Sequence, residues 1–194
     1  MKVAIVKYNA GNIESVKNAL NRLDIEPIIS DDAEILQIAD KIIFPGVGEA
    51  STAMNYLRER KLDEVIKSLK QPVFGICLGM QLLCEFSEEN ETNCLSILPY
   101  QVRQFSSEKL KVPQIGWNNI FDLKGKLFEG INENSYVYFV HGYYVESGKE
   151  TTATADYGIN YSVAVEHENF YAVQFHPEKS GAVGAKILEN FLKI

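Results

Sequence analysis

Apolar positions in the first ninety residues switch repeatedly between short continuous runs and helical spacing. Val3 to Val6 reads as a buried strand. After the turn Tyr8-Asn9-Ala10-Gly11-Asn12, residues Ile13, Val16, Ala19, Leu20 and Leu23 mark one helical face. Pro27-Ile28-Ile29 is a second strand, and Ser30-Asp31-Asp32 supplies a cap for a short helix carrying Ile35, Leu36 and Ile38. Lys41 to Phe44 is a third strand, ended by Pro45-Gly46-Val47-Gly48, and a helical region runs from Ala50 to Leu69. Val73, Phe74 and Ile76 form a fourth strand, after which Leu78, Met80, Leu82, Leu83 and Phe86 return to helical spacing. This alternation predicts a parallel sheet with helices on both faces, its site at the carboxyl ends of the strands. The loops after Val6, Phe44 and Ile76 then share one rim.

Beyond residue 90 the pattern changes. Short β-type runs occur at Leu95 to Leu98, Gln101 to Phe105, Tyr136 to Val140, Thr151 to Ala155, Tyr161 to Val165 and Tyr171 to Phe175. Polar turns separate them, and they read as hairpins. A last helix carries Val183, Ile187, Leu188 and Phe191 on one face. The expected fold class is α/β: an open, mostly parallel sheet flanked by helices, with an additional mixed or antiparallel β layer. With no internal repeat or linker, residues 1–194 are expected to form a single domain.

Composition narrows the function. A net charge of -7 on 194 residues leaves no basic surplus for binding a phosphate backbone, so nucleic acid is not an expected partner. No apolar stretch approaches the roughly 20 residues of a membrane helix, and Met1 to Lys7 is a charged strand candidate, not a signal peptide. The three cysteines, Cys77, Cys84 and Cys94, lack the paired spacings of a zinc site. An odd count suggests free thiols and a cytoplasmic location. Neither metal nor cofactor is expected.

One cysteine stands apart. In Gly75-Ile76-Cys77-Leu78-Gly79, Cys77 lies where the strand pattern gives way to the helical one, between two glycines. That is the layout of a nucleophile elbow with cysteine in place of serine. The turn strains the nucleophile's backbone, needs small neighbours, and leaves the sulfur at a helix N-terminus, which favours thiolate. An ordinary strand–helix turn holding a buried cysteine would read the same way in isolation. Cys84, seven residues on, reads as core.

A cysteine nucleophile needs a base, and the chain has three histidines. His167 sits between Glu166 and Glu168, as in a solvated turn. His141 follows the run Val137 to Val140 and reads as a strand-end histidine. His176 ends the run Tyr171 to Phe175 and precedes Pro177-Glu178. Extended residues at i and i+2 project to one side, so the Glu178 carboxylate is placed to orient the ring while the ring takes the thiol proton. Pro45-Gly46-Val47-Gly48 is small enough to present backbone N–H groups to a reacting oxygen, and the N–H of Leu78 is a second donor. A phosphate loop is the rival reading, but the Lys-Ser/Thr ending is absent.

Pro45 to Gly48, Gly75 to Gln81 and His176-Pro177-Glu178, in this order along the chain, resemble the class I (triad) glutamine amidotransferases. Tyr8 to Asn12, Gly116-Trp117-Asn118, Tyr138-Phe139-Val140-His141 and His176 to Ser180 narrow the resemblance to the glutaminase subunits of imidazole glycerol phosphate synthases, across essentially the whole chain. The resemblance implies that Cys77 attacks the glutamine side-chain amide, with His176 as proton carrier and Glu178 orienting it. It implies an oxyanion hole at Gly46, Val47 and Leu78, and a loop shaped by Gly48. It places Gln81 and Glu89, with the strand around Val140 and His141, at the glutamine. Asn12, Trp117, Tyr138 and Lys179 match positions near the interface with a cyclase subunit, the heterodimer partner that receives ammonia. The chain departs from the family at Cys94 to Tyr100, where a glycine-rich segment is common, and at Gln114, where histidine is common. Two alternatives stand beside this reading: an amidotransferase subunit feeding another synthase, and a non-catalytic regulatory subunit on the same fold.

Overall fold

The computed structural model describes residues 1–9, 12–106, 108 and 110–194. Its first half alternates: β1 (Val3–Val6), α1 (Ile13–Asn21), β2 (Ile28–Ser30), α2 (Ala33–Ile38), β3 (Lys41–Gly46), α3 (Ala50–Glu59), α4 (Leu62–Ser68), β4 (Val73–Cys77) and α5 (Leu78–Leu83). The second half is mainly β: β5 (Phe86–Ser87), β6 (Thr92–Asn93), β7 (Gln101–Gln104), β8 (Gln114–Ile120), β9 (Ser135–His141), β10 (Tyr143–Val145), β11 (Thr151–Asp156), β12 (Asn160–His167) and β13 (Phe170–Val173). Helix α6 (Gly181–Lys193) closes the chain.

Eleven strands form one sheet in the order β2-β1-β3-β4-β13-β12-β10-β7-β5-β6, with β11 on β12, while β8 and β9 pair separately. From β2 to β13 all neighbours are parallel. The direction reverses at β12. Thus the chain has the α/β architecture its alternation predicts, with an antiparallel part added.

Strand alternation divides the core. Ala4, Val6, Ile42, Phe44, Val73, Phe170 and Ala172 face one apolar layer, beneath α2 to α5. Val3, Ile5, Ile43, Phe74, Ile76, Tyr171 and Val173 face the other, beneath α1 and α6. Successive strand residues point to opposite faces, so a parallel strand covered on both sides must be apolar throughout. Each fully buried side chain of this size contributes about 2 kcal/mol. Phe74 stacks on Phe191 of α6 with ring centroids 4.9 Å apart, which joins the Cys77 strand to the last helix.

Several elements differ from the sequence reading. The helical region from Ala50 to Leu69 is two helices, broken at Lys61, whose φ of 57° is left-handed. The polar run Arg58 to Lys61 interrupts an apolar face that otherwise continues from Leu57 to Leu62. Helix α5 stops at Leu83; Cys84 has ψ 178° and Phe86 belongs to β5. Leu95 to Leu98 is not a strand. Its backbone N–H groups of Leu95, Ile97 and Leu98 donate to the Leu82 and Leu83 carbonyls at 2.8–2.9 Å, satisfying the end of α5. His167 lies at the end of β12, not in a turn, and the third strand runs on through Pro45 to Gly46. Strand β8 was concealed because its outward face is the apolar one: Ile115 and Trp117 are exposed while Gln114 is buried. The Ser30-Asp31-Asp32 cap is present, with Asp32 Oδ1 accepting from Glu34 N at 2.8 Å. The Ala10-Gly11 part of the first turn lies outside the described residues.

The parallel order brings the ends of β1, β3, β4 and β13 to one rim, with no spare room. A Cβ at Gly79, in the first turn of α5, would overlap the Phe44 carbonyl oxygen of β3. A Cβ at Gly75 would lie 3.0 Å from Leu83 Cδ1 and 3.1 Å from Met80 N. Gly79→Ala is therefore expected to destabilise the fold by about 3 kcal/mol, through overpacking against backbone that cannot yield. Urea denaturation of the variant against the parent chain measures it; a change within about 0.5 kcal/mol would contradict the packing account.

Candidate active site

Cys77 is the last residue of β4 and immediately precedes α5, with φ 55° and ψ -110°. A non-glycine residue in that region is strained, and here strand and helix hold it from both sides. The residue is 6% exposed, so its sulfur meets few and specific neighbours. The Val140 carbonyl lies 3.8 Å from Sγ, and Gln174 Nε2 lies 3.6 Å away. The other two cysteines are buried and free. Cys84 is held protonated by burial and points its thiol at the Met80 carbonyl, as a core residue does.

His176 faces the sulfur from the end of β13. Its Nδ1 lies 2.8 Å from Glu178 Oε1, with both side chains almost wholly buried. A carboxylate accepts, so Nδ1 carries the proton and Nε2 is the nitrogen left for Cys77. The i, i+2 strand geometry expected for this pair is replaced by a 3₁₀ turn at Pro177–Lys179. That turn is built on backbone bonds: Lys179 N donates to the His176 carbonyl at 3.0 Å, and Ser180 Oγ donates to the same oxygen at 2.6 Å. Strand β9 supports it from beside, with His176 N donating to the Tyr138 carbonyl at 2.9 Å and Tyr138 N donating to Ser180 Oγ at 2.9 Å. Glu178 Oε1 accepts a second bond, from Asn12 Nδ2 at 2.6 Å. Asn12 therefore sits at the triad's carboxylate, held in left-handed backbone at the start of α1 with φ 74°.

The loop after β3 lies next to Cys77 through the pairing of Gly46 with Cys77. Gly46 itself does not reach the cavity. It is wedged: a Cβ there would overlap the Tyr8 hydroxyl and lie 3.0 Å from Leu78 Cβ. Tyr8 donates to the Pro45 carbonyl at 2.6 Å, and burial, followed by the nearby Cys77, pushes its pKa far up, so it remains a donor. Val47, Gly48 and Leu78 do line the cavity, and Gly48 adopts φ 111° with open space where a side chain would stand.

That cavity measures about 280 Å³ and is bounded also by Cys77, His176, Gln81, Glu89, Val140, His141 and Lys179. Gln81 gives its amide hydrogens to the Tyr143 carbonyl at 3.1 Å and to Gln174 Oε1 at 2.9 Å, leaving only its oxygen for a ligand. Glu89 Oε2 accepts from Ala50 N at 2.7 Å, at the start of α3, and burial raises its pKa. His141 is occupied internally: Nδ1 donates to the Tyr143 carbonyl at 2.7 Å, and Nε2 lies against the Gln114 side-chain amide and the Tyr161 hydroxyl. Burial lowers its pKa to about 4, so the ring is neutral and only its surroundings face the cavity. The Gln114 departure thus falls beside His141 and Tyr161, behind the cavity wall. Pro113, Gly142 and Tyr143 also line it, and the sequence reading did not find them because each lies in or beside a strand it left unassigned. His167 is far from this group in its contacts, facing Glu150 at 3.9 Å.

Trp117 and Tyr138 are paired across β8 and β9, their rings edge-on at 5.9 Å. With Ile115 and Tyr136 they make an outward apolar face, where Ile115 is 60%, Trp117 55% and Tyr136 59% exposed. Lys179 is exposed at the cavity mouth.

His176 carries an electrostatic consequence. Burial lowers its pKa, but the hydrogen bonds to Cys77 and Glu178 and their charges outweigh it, raising the value from 6.5 to about 10. A raised folded-state pKa contributes stability that is complete below about pH 6.5 and lost as pH rises through about 10. The parent chain is expected to lose on the order of a few kcal/mol across this window, and Glu178→Gln to lose less. Urea unfolding at pH 6, 8 and 10 measures both; equal slopes would refute the assigned cause.

Comparison with known proteins places the whole chain in a family. The glutamine amidotransferase class-I model matches residues 4–194. The imidazole glycerol phosphate synthase subunit HisH of Bacteroides thetaiotaomicron is 57% identical, and that of Escherichia coli strain K12 45%, each alignment covering 100% of both chains. A solved glutamine amidotransferase shares the fold with a TM-score of 0.76 at 21% identity, covering 98% of this chain and 97% of its own. Cys77 at its elbow and His176 on Glu178 thus stand in a chain that belongs to the class-I glutamine amidotransferase family, among its HisH subunits.

Proposed function

We propose that Cys77, His176 and Glu178 are the nucleophile, proton carrier and orienting carboxylate of a glutaminase. The chain is the glutaminase subunit of imidazole glycerol phosphate synthase, in histidine biosynthesis. The observation that carries the residue assignment is the buried His176–Glu178 pair facing Cys77 at the strained end of β4.

Sγ of Cys77, as thiolate beside the His176 imidazolium, attacks the side-chain amide carbon of glutamine, and the carbonyl electron pair moves onto oxygen. Collapse of the adduct breaks the C–N bond, and the proton on His176 leaves with the nitrogen as ammonia. Water then attacks the thioester and gives a proton to His176, and expulsion of sulfur releases glutamate and restores the starting pair. Glu178, held by Asn12, keeps the ring in the tautomer this requires. The oxyanion donors are the backbone N–H groups of Val47 and Leu78. Gly46 serves as the spacer that lets the loop approach, and Gly48 as its bend. With both amide hydrogens spent, Gln81 offers an oxygen suited to the substrate's α-ammonium group, as does the Glu89 carboxylate. Val140 and His141 supply backbone at the other wall.

The partner is a cyclase subunit, seated on the face of Trp117 and Tyr138 beside Lys179 at the cavity mouth, so that ammonia passes between subunits without entering solvent. An exposed aromatic patch continuous with the site supports this placement. Residues 1–194 act as one amidotransferase domain, in the cytoplasm with the rest of the pathway.

Ammonia release from glutamine tests the assignment, with and without the cyclase subunit and its ribonucleotide substrate. Strong stimulation is expected, with Cys77→Ala reducing the rate by roughly a thousandfold or more. Unchanged turnover in Cys77→Ala would remove the nucleophile assignment, and high turnover of the isolated chain would remove partner control. Trp117→Ala is expected to weaken cyclase binding by about tenfold or more, read by calorimetry. Unaltered affinity would move the interface elsewhere.

A further inference from the structure

Gln174 is wholly buried one residue beyond β13 and does not line the cavity, yet its amide Nε2 lies 3.6 Å from Cys77 Sγ. Its backbone is fixed by a bond from Gln174 N to the Val163 carbonyl at 2.8 Å. The orientation of its amide is fixed from the far side. Tyr143 O, a carbonyl, can only accept, so Gln81 donates to it at 3.1 Å and, through the same nitrogen, to Gln174 Oε1 at 2.9 Å. Once Gln174 Oε1 accepts, its NH₂ is the end turned to the sulfur. A directed chain runs from the Gln81 amide through Gln174 to Sγ.

We propose that Gln174 is a further catalytic residue, a preoriented N–H donor that holds the Cys77 sulfur in its anionic form and is itself held by Gln81. The inference rests on Cys77 being the nucleophile, as assigned above. A thiolate buried here has little water to solvate it, and an N–H donor to an ion is stronger than one to a neutral group. The Val140 carbonyl, 3.8 Å from Sγ, can only accept and favours the thiol. Among the described residues, the titratable groups facing the sulfur are His176 and, just beyond β1, Tyr8. His176 shuttles its proton during the reaction and Tyr8 donates to Pro45. Gln174 supplies a fixed donor that no step of the cycle consumes.

Gln174→Met keeps length and removes the donor. Iodoacetamide labelling of Cys77 in the full chain, followed by peptide mass spectrometry with Cys77→Ala as background, reads the thiolate directly. The variant is expected to label about tenfold more slowly at pH 7, with rates converging by about pH 10, where an ordinary thiol is ionised regardless. In the complex with the cyclase subunit, kcat for glutamine is expected to fall about tenfold with KM within about twofold, because Gln174 stands behind the cavity wall. Gln81→Leu, which leaves Gln174 in place without its clamp, is expected to slow labelling in the same direction by a smaller factor and serves should Gln174→Met not fold. Equal labelling of folded Gln174→Met and parent at pH 7, or of Gln81→Leu and parent where the first does not fold, would overturn the donor role while leaving the nucleophile in place. A parent chain whose Cys77 labels no faster than an ordinary thiol would overturn both.

Discussion

The site depends on the approach of two backbones, the first turn of α5 and the end of β3, at Gly79 and Phe44. No side chain fits between them. Because they touch, Cys77 must turn within a single residue from strand to helix, and its positive φ is the result. The same contact brings the Pro45–Gly48 loop against the start of α5, so that Val47, Gly48 and Leu78 share the cavity with the sulfur. The two apolar layers of the sheet supply the stability that holds this strain.

Around that fixed point the remaining groups are tied by bonds that cross the sheet from different elements. Glu178 collects Asn12 from the start of α1 and His176 from the end of β13. Strand β9 supports His176 through the Tyr138 carbonyl while turning the Tyr138 ring outward toward Trp117. One strand therefore joins the triad to the exposed aromatic face. An object pressing on that face bears on the backbone that positions His176, with no intervening loop. In a site whose proton carrier must stay within hydrogen-bond reach of sulfur, that is a short mechanical path.

Much of this was legible in the residues. The alternation from Val3 to Ile76 specified the parallel sheet because strands buried on both faces must be apolar throughout. The glycines about Cys77 marked the elbow because a Cβ is tight at Gly75 and has no room at Gly79. What was obscured had physical causes. Leu95 to Leu98 looked like a strand because it is buried, yet its amides serve a helix end. Strand β8 lacked the usual signal because its apolar residues face outward. The His176–Glu178 spacing was right for pairing, but a 3₁₀ turn makes the contact, and sequence spacing cannot separate the two geometries. Gln174 passed as one more strand residue, since its partners Cys77 and Gln81 lie 97 and 93 positions away in the chain.

Glu89 occupies two positions at once: it borders the cavity, and its carboxylate holds Ala50 N, the first amide after the loop from Val47 to Glu49. Any ligand that draws this carboxylate inward does so at the expense of the downstream tether of that loop. Filling the cavity and fastening the loop thus compete for one group, and by reciprocity an influence that frees the loop makes the carboxylate more available to the ligand. The loop is in this sense a second ligand of Glu89, carried permanently at high local concentration by the chain itself.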